Sequence, residues 1–195
     1  IRYKLHQEAK TREEKDAVEA LMASQDFARE LKDECLTLVY RLLFLFYAEA
    51  REDLEILPVK DSVYQKGYSL EMLRDLEMVP LTTDSSRNGT FFSESLWKLF
   101  DFLFKGQESE NGFAMKPLDS PLFNNENLKH LQGVQFRNFV LQEIILRLSL
   151  SERTKKKGRG RISYANLGIN QLGSVYESLL AVSYTHLTLP TICCV

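Results

Sequence analysis

Apolar residues recur at helical spacing through most of this chain. Leu36, Val39, Tyr40, Leu43 and Tyr47 form one stripe, and Leu38, Leu42, Leu45 and Phe46 a second. Residues 36–51 therefore predict the strongest helix, apolar on most sides and buried in the middle of its domain. Arg41 interrupts that run and needs either a partner or a route to the surface for its head group. Phe92, Leu96, Leu99, Phe100 and Leu103 predict a helix over residues 92–104, ended by Gly106. Leu141, Ile144, Ile145 and Leu148 predict another over residues 138–149. Leu70, Leu73 and Leu76 point inward from a shorter one over residues 69–78. Near the end, Leu172, Val175, Tyr176 and Leu179 give one apolar face of a last helix, with Gly168 in its entry turn and Asn170 as N-cap.

Polar patterning fills in the rest. Residues 4–32 are rich in helix-forming Glu, Lys, Arg and Ala. Thr11-Arg12-Glu13-Glu14 has the form of a capping box, and Ala17, Leu21, Ala28 and Leu31 supply a thin apolar stripe. Residues 80–89 read as a polar loop (Thr82, Thr83, Asp84, Ser85, Ser86, Arg87, Asn88). Residues 107–132 hold Gly112, Pro117, Pro121 and several asparagines, and predict a long irregular segment of the kind that is functional or wrapped on a neighbour. Ile162-Ser163-Tyr164 suggests a short extended piece. Repeats and strand-rich stretches are not seen. The fold class is all-α: a multi-helix domain with a long irregular loop.

Composition narrows the function only slightly. With 195 residues the chain is one domain or a little more, and 44% hydrophobic residues suffice for a core. The net charge of -2 argues against a globally basic nucleic-acid binder, so any such contact must come from a local patch. Three cysteines, Cys35, Cys193 and Cys194, make no disulfide framework. The chain begins at Ile1 and shows no signal peptide. Its longest apolar run, residues 36–48, is shorter than the roughly 20 residues a membrane span needs. The reading is a cytoplasmic protein with no membrane partner. His6, His130 and His186 share no ligand spacing, so no metal site is indicated. Phosphate-binding glycine loops and a nucleophile elbow are also missing, and no catalytic or cofactor-binding residue is assigned.

One local feature carries charge. Lys155, Lys156, Lys157, Arg159 and Arg161 crowd a glycine-containing linker, residues 153–161. Such a run neutralises phosphates without reading sequence. A solvated polar linker is the plainer reading of the same residues. It lacks interleaved aromatics, which argues against a single-strand stacking platform within the run itself.

Several segments together resemble a known family. Leu38-Val39-Tyr40-Arg41-Leu42-Leu43-Phe44-Leu45-Phe46-Tyr47-Ala48-Glu49-Ala50-Arg51 is followed in order by Tyr68-Ser69-Leu70, by Leu99-Phe100 before a glycine turn, and by Pro121-Leu122-Phe123. Ile162-Ser163-Tyr164-Ala165-Asn166-Leu167-Gly168 then leads into Gln171-Leu172-Gly173-Ser174-Val175-Tyr176-Glu177-Ser178-Leu179-Leu180. This order resembles the helical region of type IIG-like restriction–modification enzymes and related phage-defence DNA adenine methyltransferases. Ser120-Pro121 departs from the glycines expected in that family's Leu-Phe loop.

The resemblance implies a helical region that packs on a Rossmann-like methyltransferase domain following it. S-adenosylmethionine is the cofactor of that parent and double-stranded DNA its partner. The Asn-Pro-Pro-aromatic motif and the cofactor loop of such a domain are not in this sequence. The implied organisation is a charged helical lead-in (1–32), a helical domain (33–152), a basic linker (153–161), the entry to the methyltransferase domain (162–181) and a tail (182–195). Val182-Ser183-Tyr184-Thr185-His186-Leu187-Thr188-Leu189-Pro190-Thr191 resembles a translated sequencing adapter, which implies a non-native tail; an apolar strand-like run is the alternative. The competing functional reading is a non-enzymatic helical module that docks a partner subunit of a defence complex.

Overall fold

The computed structural model describes residues 1, 4–5, 8–76, 80–108, 113–151 and 160–185, with backbone alone at 76, 169 and 179–185. Among these residues the structure is helical, with two isolated β-bridges and no strand. Eight helices are used below: α1 (Arg12–Ala23), α2 (Gln25–Ala50), α3 (Ser62–Gly67), α4 (Leu70–Leu76), α5 (Asp84–Asn88), α6 (Phe91–Lys105), α7 (Asn138–Ser149) and α8 (Ile169–Thr185). The chain divides into two compact units, Ile1–Tyr40 with Gly168–Val195, and Arg41–Leu167.

In the first unit the predicted capping box forms: Thr11 Oγ1 accepts from the Glu14 N–H, and Glu14 accepts from the Thr11 N–H. The backbone N–H groups of Thr11 and Lys10, both donating to Glu14 Oε2, hold its carboxyl below its usual range. The lead-in helix does not run unbroken to residue 32. Ser24 adopts an extended conformation that ends α1, and its Oγ then accepts the Phe27 N–H at the start of α2. A serine hydroxyl competes well with helix continuation, and here it restarts the helix one residue on. From Gln25, α2 continues without interruption past residues 32–36. The last helix begins at Ile169, so Asn170 is inside it and is not its N-cap. Gln171 Oε1 accepts the Gly168 N–H at 2.8 Å instead. Leu172 is buried, and Tyr176 packs its ring on Tyr40 with centroids 4.3 Å apart. The side chain of Leu179 lies outside the described residues.

The second unit holds the main core. Of the two stripes on α2, the one with Leu42, Leu45 and Phe46 is the buried one, joined by Tyr47. Along α6 all five predicted positions, Phe92, Leu96, Leu99, Phe100 and Leu103, are buried. Helix α7 has the predicted bounds and packs against α4, α5 and α6. Leu70 and Leu73 of α4 are buried as expected; the side chain of Leu76 lies outside the described residues.

Two short helices were not visible in the apolar pattern. Asp61 Oδ1 accepts the N–H groups of Val63 and Tyr64 and opens α3. The polar loop expected over residues 80–89 contains α5, opened by a capping box between Thr83 and Ser86. Both are nucleated by side-chain caps, not by an apolar stripe.

The long segment after α6 is irregular but tied down. Gly106 has φ +81, and a Cβ there would stand 3.0 Å from Pro117 Cδ. Glycine thus permits both the reversal and the close approach. Gln107 and Met115 pair through both backbone bonds, and Leu118 donates to the Leu103 carbonyl. Two 3-10 turns follow, Pro121–Phe123 and Asn125–Asn127. Arg41 anchors them. It is fully buried, donates from Nη1 to Asn125 Oδ1 at 2.7 Å and from Nη2 to the Asn124 carbonyl at 2.9 Å, and lies against the Phe100 ring. The head group does not snorkel, and burial pulls its pKa down to about 10.

Candidate nucleic-acid interface

The basic linker leaves the core at a defined point. Leu150 and Arg161 form an antiparallel bridge. Ser151 donates to the Gly160 carbonyl at 2.9 Å and Ile162 to the Ser149 carbonyl at 2.8 Å. Gly160 N–H also donates to Ser151 Oγ at 3.0 Å. The two ends of the segment are thereby held side by side.

The stem is fixed to the core on both sides. Ser149 is fully buried and donates to the Ile145 carbonyl, the helical back-bond open to a serine hydroxyl. Tyr164 donates to the Leu148 carbonyl at 2.6 Å and stacks on Phe46 at 5.1 Å. Arg74 of α4 lies over the Phe46 ring, pairs with Glu71 and reaches the Ile162 carbonyl.

Of the predicted backbone-contact residues, the structure places Arg161. Its guanidinium meets Asp75 Oδ1 at 2.5 Å and Glu71 Oε2 at 3.6 Å, with the side chain half exposed. Its charge is therefore already matched by carboxylates of α4, which it bridges to the stem at the surface. Lys155, Lys156, Lys157 and Arg159 lie outside the described residues, as do His6, His186, Cys193 and Cys194. Residues 152–159 contain five basic side chains and one carboxylate.

A carboxylate that the sequence did not single out sits at the end of α2. Glu49 is half-buried and caps α4 from outside that helix. Its Oε1 accepts from Tyr64 Oη at 2.7 Å and from the Leu70 N–H at 2.7 Å, and its Oε2 accepts from the Glu71 N–H at 3.0 Å. A negative group at a helix N-terminus is favoured by the N–H groups and the dipole. Burial outweighs these donors and pushes Glu49 up to about 7. Burial, and then the Glu49 charge, also push the Tyr64 phenol upward. Glu49 was legible only as the polar face of an apolar helix, because its partners come from two helices further along the chain. It borders a pocket of about 580 Å³ with Lys66, Glu71 and Asp75 at its edge.

Among the described residues no cluster of His, Cys, Asp and Glu is arranged to hold a metal ion, and no helix is long and apolar enough to cross a membrane. Comparison with protein-family models, curated proteins and solved structures gave no significant match in any of the three.

Proposed function

We propose that this chain is the helical region of a site-specific DNA adenine methyltransferase of a restriction–modification or phage-defence system, and that it grips duplex backbone through residues 152–159. The methyltransferase part rests on the ordered sequence segments described above. S-adenosylmethionine and the chemistry of methyl transfer belong to the domain expected to follow. The backbone contact rests on one observation: the bridge between Leu150 and Arg161 holds together the ends of a segment with five basic residues.

The test is the salt dependence of duplex binding by the full chain, followed by fluorescence anisotropy. Each phosphate neutralised contributes a slope of about -0.9 in log K against log salt. Replacing Lys155, Lys156, Lys157 and Arg159 together by Ala is expected to weaken binding at low salt and to flatten that slope by roughly 3 to 4. An unchanged slope overturns the contact.

The alternative, a non-enzymatic module docking a partner subunit, is favoured by Phe91 and Phe139, which are 51% and 37% exposed at the starts of α6 and α7. Isolated exposed apolar residues are common on any surface. That reading predicts no salt-dependent duplex binding at all.

A further inference from the structure

We infer that the pocket beside Trp97 binds a single unstacked nucleobase. The pocket encloses about 280 Å³ in the second unit, between α6 and the segments that follow it. This is at the small end of ligand sites, roughly 300 Å³ and upward, and suits one ring system. Trp97 and Phe104 supply aromatic wall. Asn124, Asn125, Gln132 and Gln135 line the same space. Both polar atoms of Asn125 are bonded within the protein, so the Gln135 carboxamide and the Asn124 Nδ2 are the amide groups that face a ligand. A carboxamide offers a donor and an acceptor side by side, the pattern that base edges present. Aromatic surface with convergent amides is the chemistry by which single bases are held.

The wall is preorganised. Trp97 Nε1 donates to the Val134 carbonyl at 3.0 Å, and its ring contacts Phe100 edge-on and Phe136 in a stacked arrangement. Asn125 is oriented from beneath by Arg41, whose buried guanidinium takes its Oδ1. Its Nδ2 is turned toward the Trp97 carbonyl. Asn124 is held in its turn by accepting the Glu126 N–H. Gln135 is exposed and makes no side-chain hydrogen bond among the described residues. Its amide is available to a ligand.

The charge at the site selects the base over the phosphate. Asp101 and Glu126 line the pocket, and its lysine, Lys105, is paired with Asp101 at 2.7 Å. A neutral ring is accepted there and a phosphate is repelled. This goes beyond the backbone contact proposed above, since the basic segment supplies charge without base edges. The base arrives either as a free nucleoside or as an unpaired base within a strand.

Trp97 is the chain's single tryptophan, so its emission reports on this pocket directly. Adenosine, cytidine, guanosine and thymidine, and then their 5′-monophosphates, are titrated against the full chain. A saturable change in emission is expected for at least one nucleoside, with weaker binding of the matching monophosphate. Gln135→Ala, at an exposed position, is expected to weaken it roughly fivefold, and Asn124→Ala similarly. A duplex with one unpaired base, compared with the fully paired duplex, separates the two sources; binding of either source supports the site. The inference is overturned if no nucleoside and no unpaired base gives a saturable change. It is also overturned if the change is undiminished in both variants. Loss of the salt slope on altering residues 155–159 leaves the nucleoside signal untouched, so the two proposals fail separately.

Discussion

Arg41 donates to the side-chain oxygen of Asn125 at 2.7 Å across 84 positions of sequence. The pair joins the buried second half of α2 to the 3-10 turns after α6. Among the described residues Arg41 has no carboxylate partner. Its acceptors are neutral, and the rings of Phe100 and Phe123 flank it. A buried cation so arranged is sensitive to the loss of any acceptor. Asn125→Ala is expected to cost about 2–4 kcal/mol, because it leaves the charge under-satisfied. Arg41→Met removes the charge with its desolvation penalty and leaves two neutral acceptors unmet, at about 1–2 kcal/mol. Urea denaturation of both variants checks the order; an Asn125 variant less damaged than the Met variant contradicts it.

Glu49 makes stability depend on pH near neutrality. Its folded-state carboxyl titrates at about 7, above the ordinary 4.5, chiefly because of burial. The folded protein therefore holds this proton more tightly than the unfolded chain. The resulting stabilisation is complete below about pH 4.5 and is lost as pH rises through 7. Glu49→Gln keeps an acceptor for the N–H groups of α4 and removes the titration. The difference in urea midpoint between wild type and this variant should change between pH 5 and pH 8. Tyr64→Phe deletes one donor to the carboxylate and should move the loss to higher pH. A difference that stays flat across the range refutes the assignment.

These two residues mark where sequence patterning stops being informative. The stripes of α6 and α7 were legible because their neighbours in the pattern are also neighbours in space, three and four positions away. The Thr11–Glu14 box was legible for the same reason. Arg41 was recognisable as a problem, since a cation inside an apolar run demands a solution, but the solution lay in Asn124 and Asn125. Nothing local in Asn-Asn signals an arginine acceptor. Helices α3 and α5 were missed because caps at Asp61 and Thr83 define them and their runs are too short to show a period. The Trp97 pocket gathers residues from α6 and two later segments, a juxtaposition that only the tertiary fold makes.

Asn138 is a junction of three elements. Its backbone donates to the Gly89 carbonyl, its Oδ1 accepts the Phe92 N–H at 3.2 Å, and its Nδ2 donates to the Ser86 carbonyl at 3.0 Å. It thus ties the end of α5 and the start of α6 to the start of α7. Asn138→Asp keeps the acceptor but sets a second oxygen against the Ser86 carbonyl. Both Asn138→Asp and Asn138→Ala are expected to cost about 1–3 kcal/mol. Gly89→Ala tests the same junction sterically, because a Cβ there would meet Asn138 Nδ2 and the Ser85 carbonyl, each at 3.0 Å. Thermal denaturation should rank all three below wild type. An aspartate variant as stable as wild type would show that the Ser86 bond does not matter.

Arg161 separates a positioning role from a phosphate contact. Its partners Asp75 and Glu71 are 69% and 51% exposed, so the pairs are surface pairs worth about 0–1 kcal/mol. Arg161→Ala should therefore leave global stability within that margin. It should also leave the salt slope of duplex binding nearly unchanged, whereas each of Lys155, Lys156, Lys157 and Arg159 should lower it by about 0.9. Asp75→Asn weakens the hold on Arg161 and makes its charge more available to phosphate, so affinity at low salt is expected to rise. Anisotropy titrations of both variants, across the same salt series, check this. A slope reduced as much by Arg161→Ala as by a lysine change would make Arg161 a contact residue and its pairing with Asp75 one that DNA displaces.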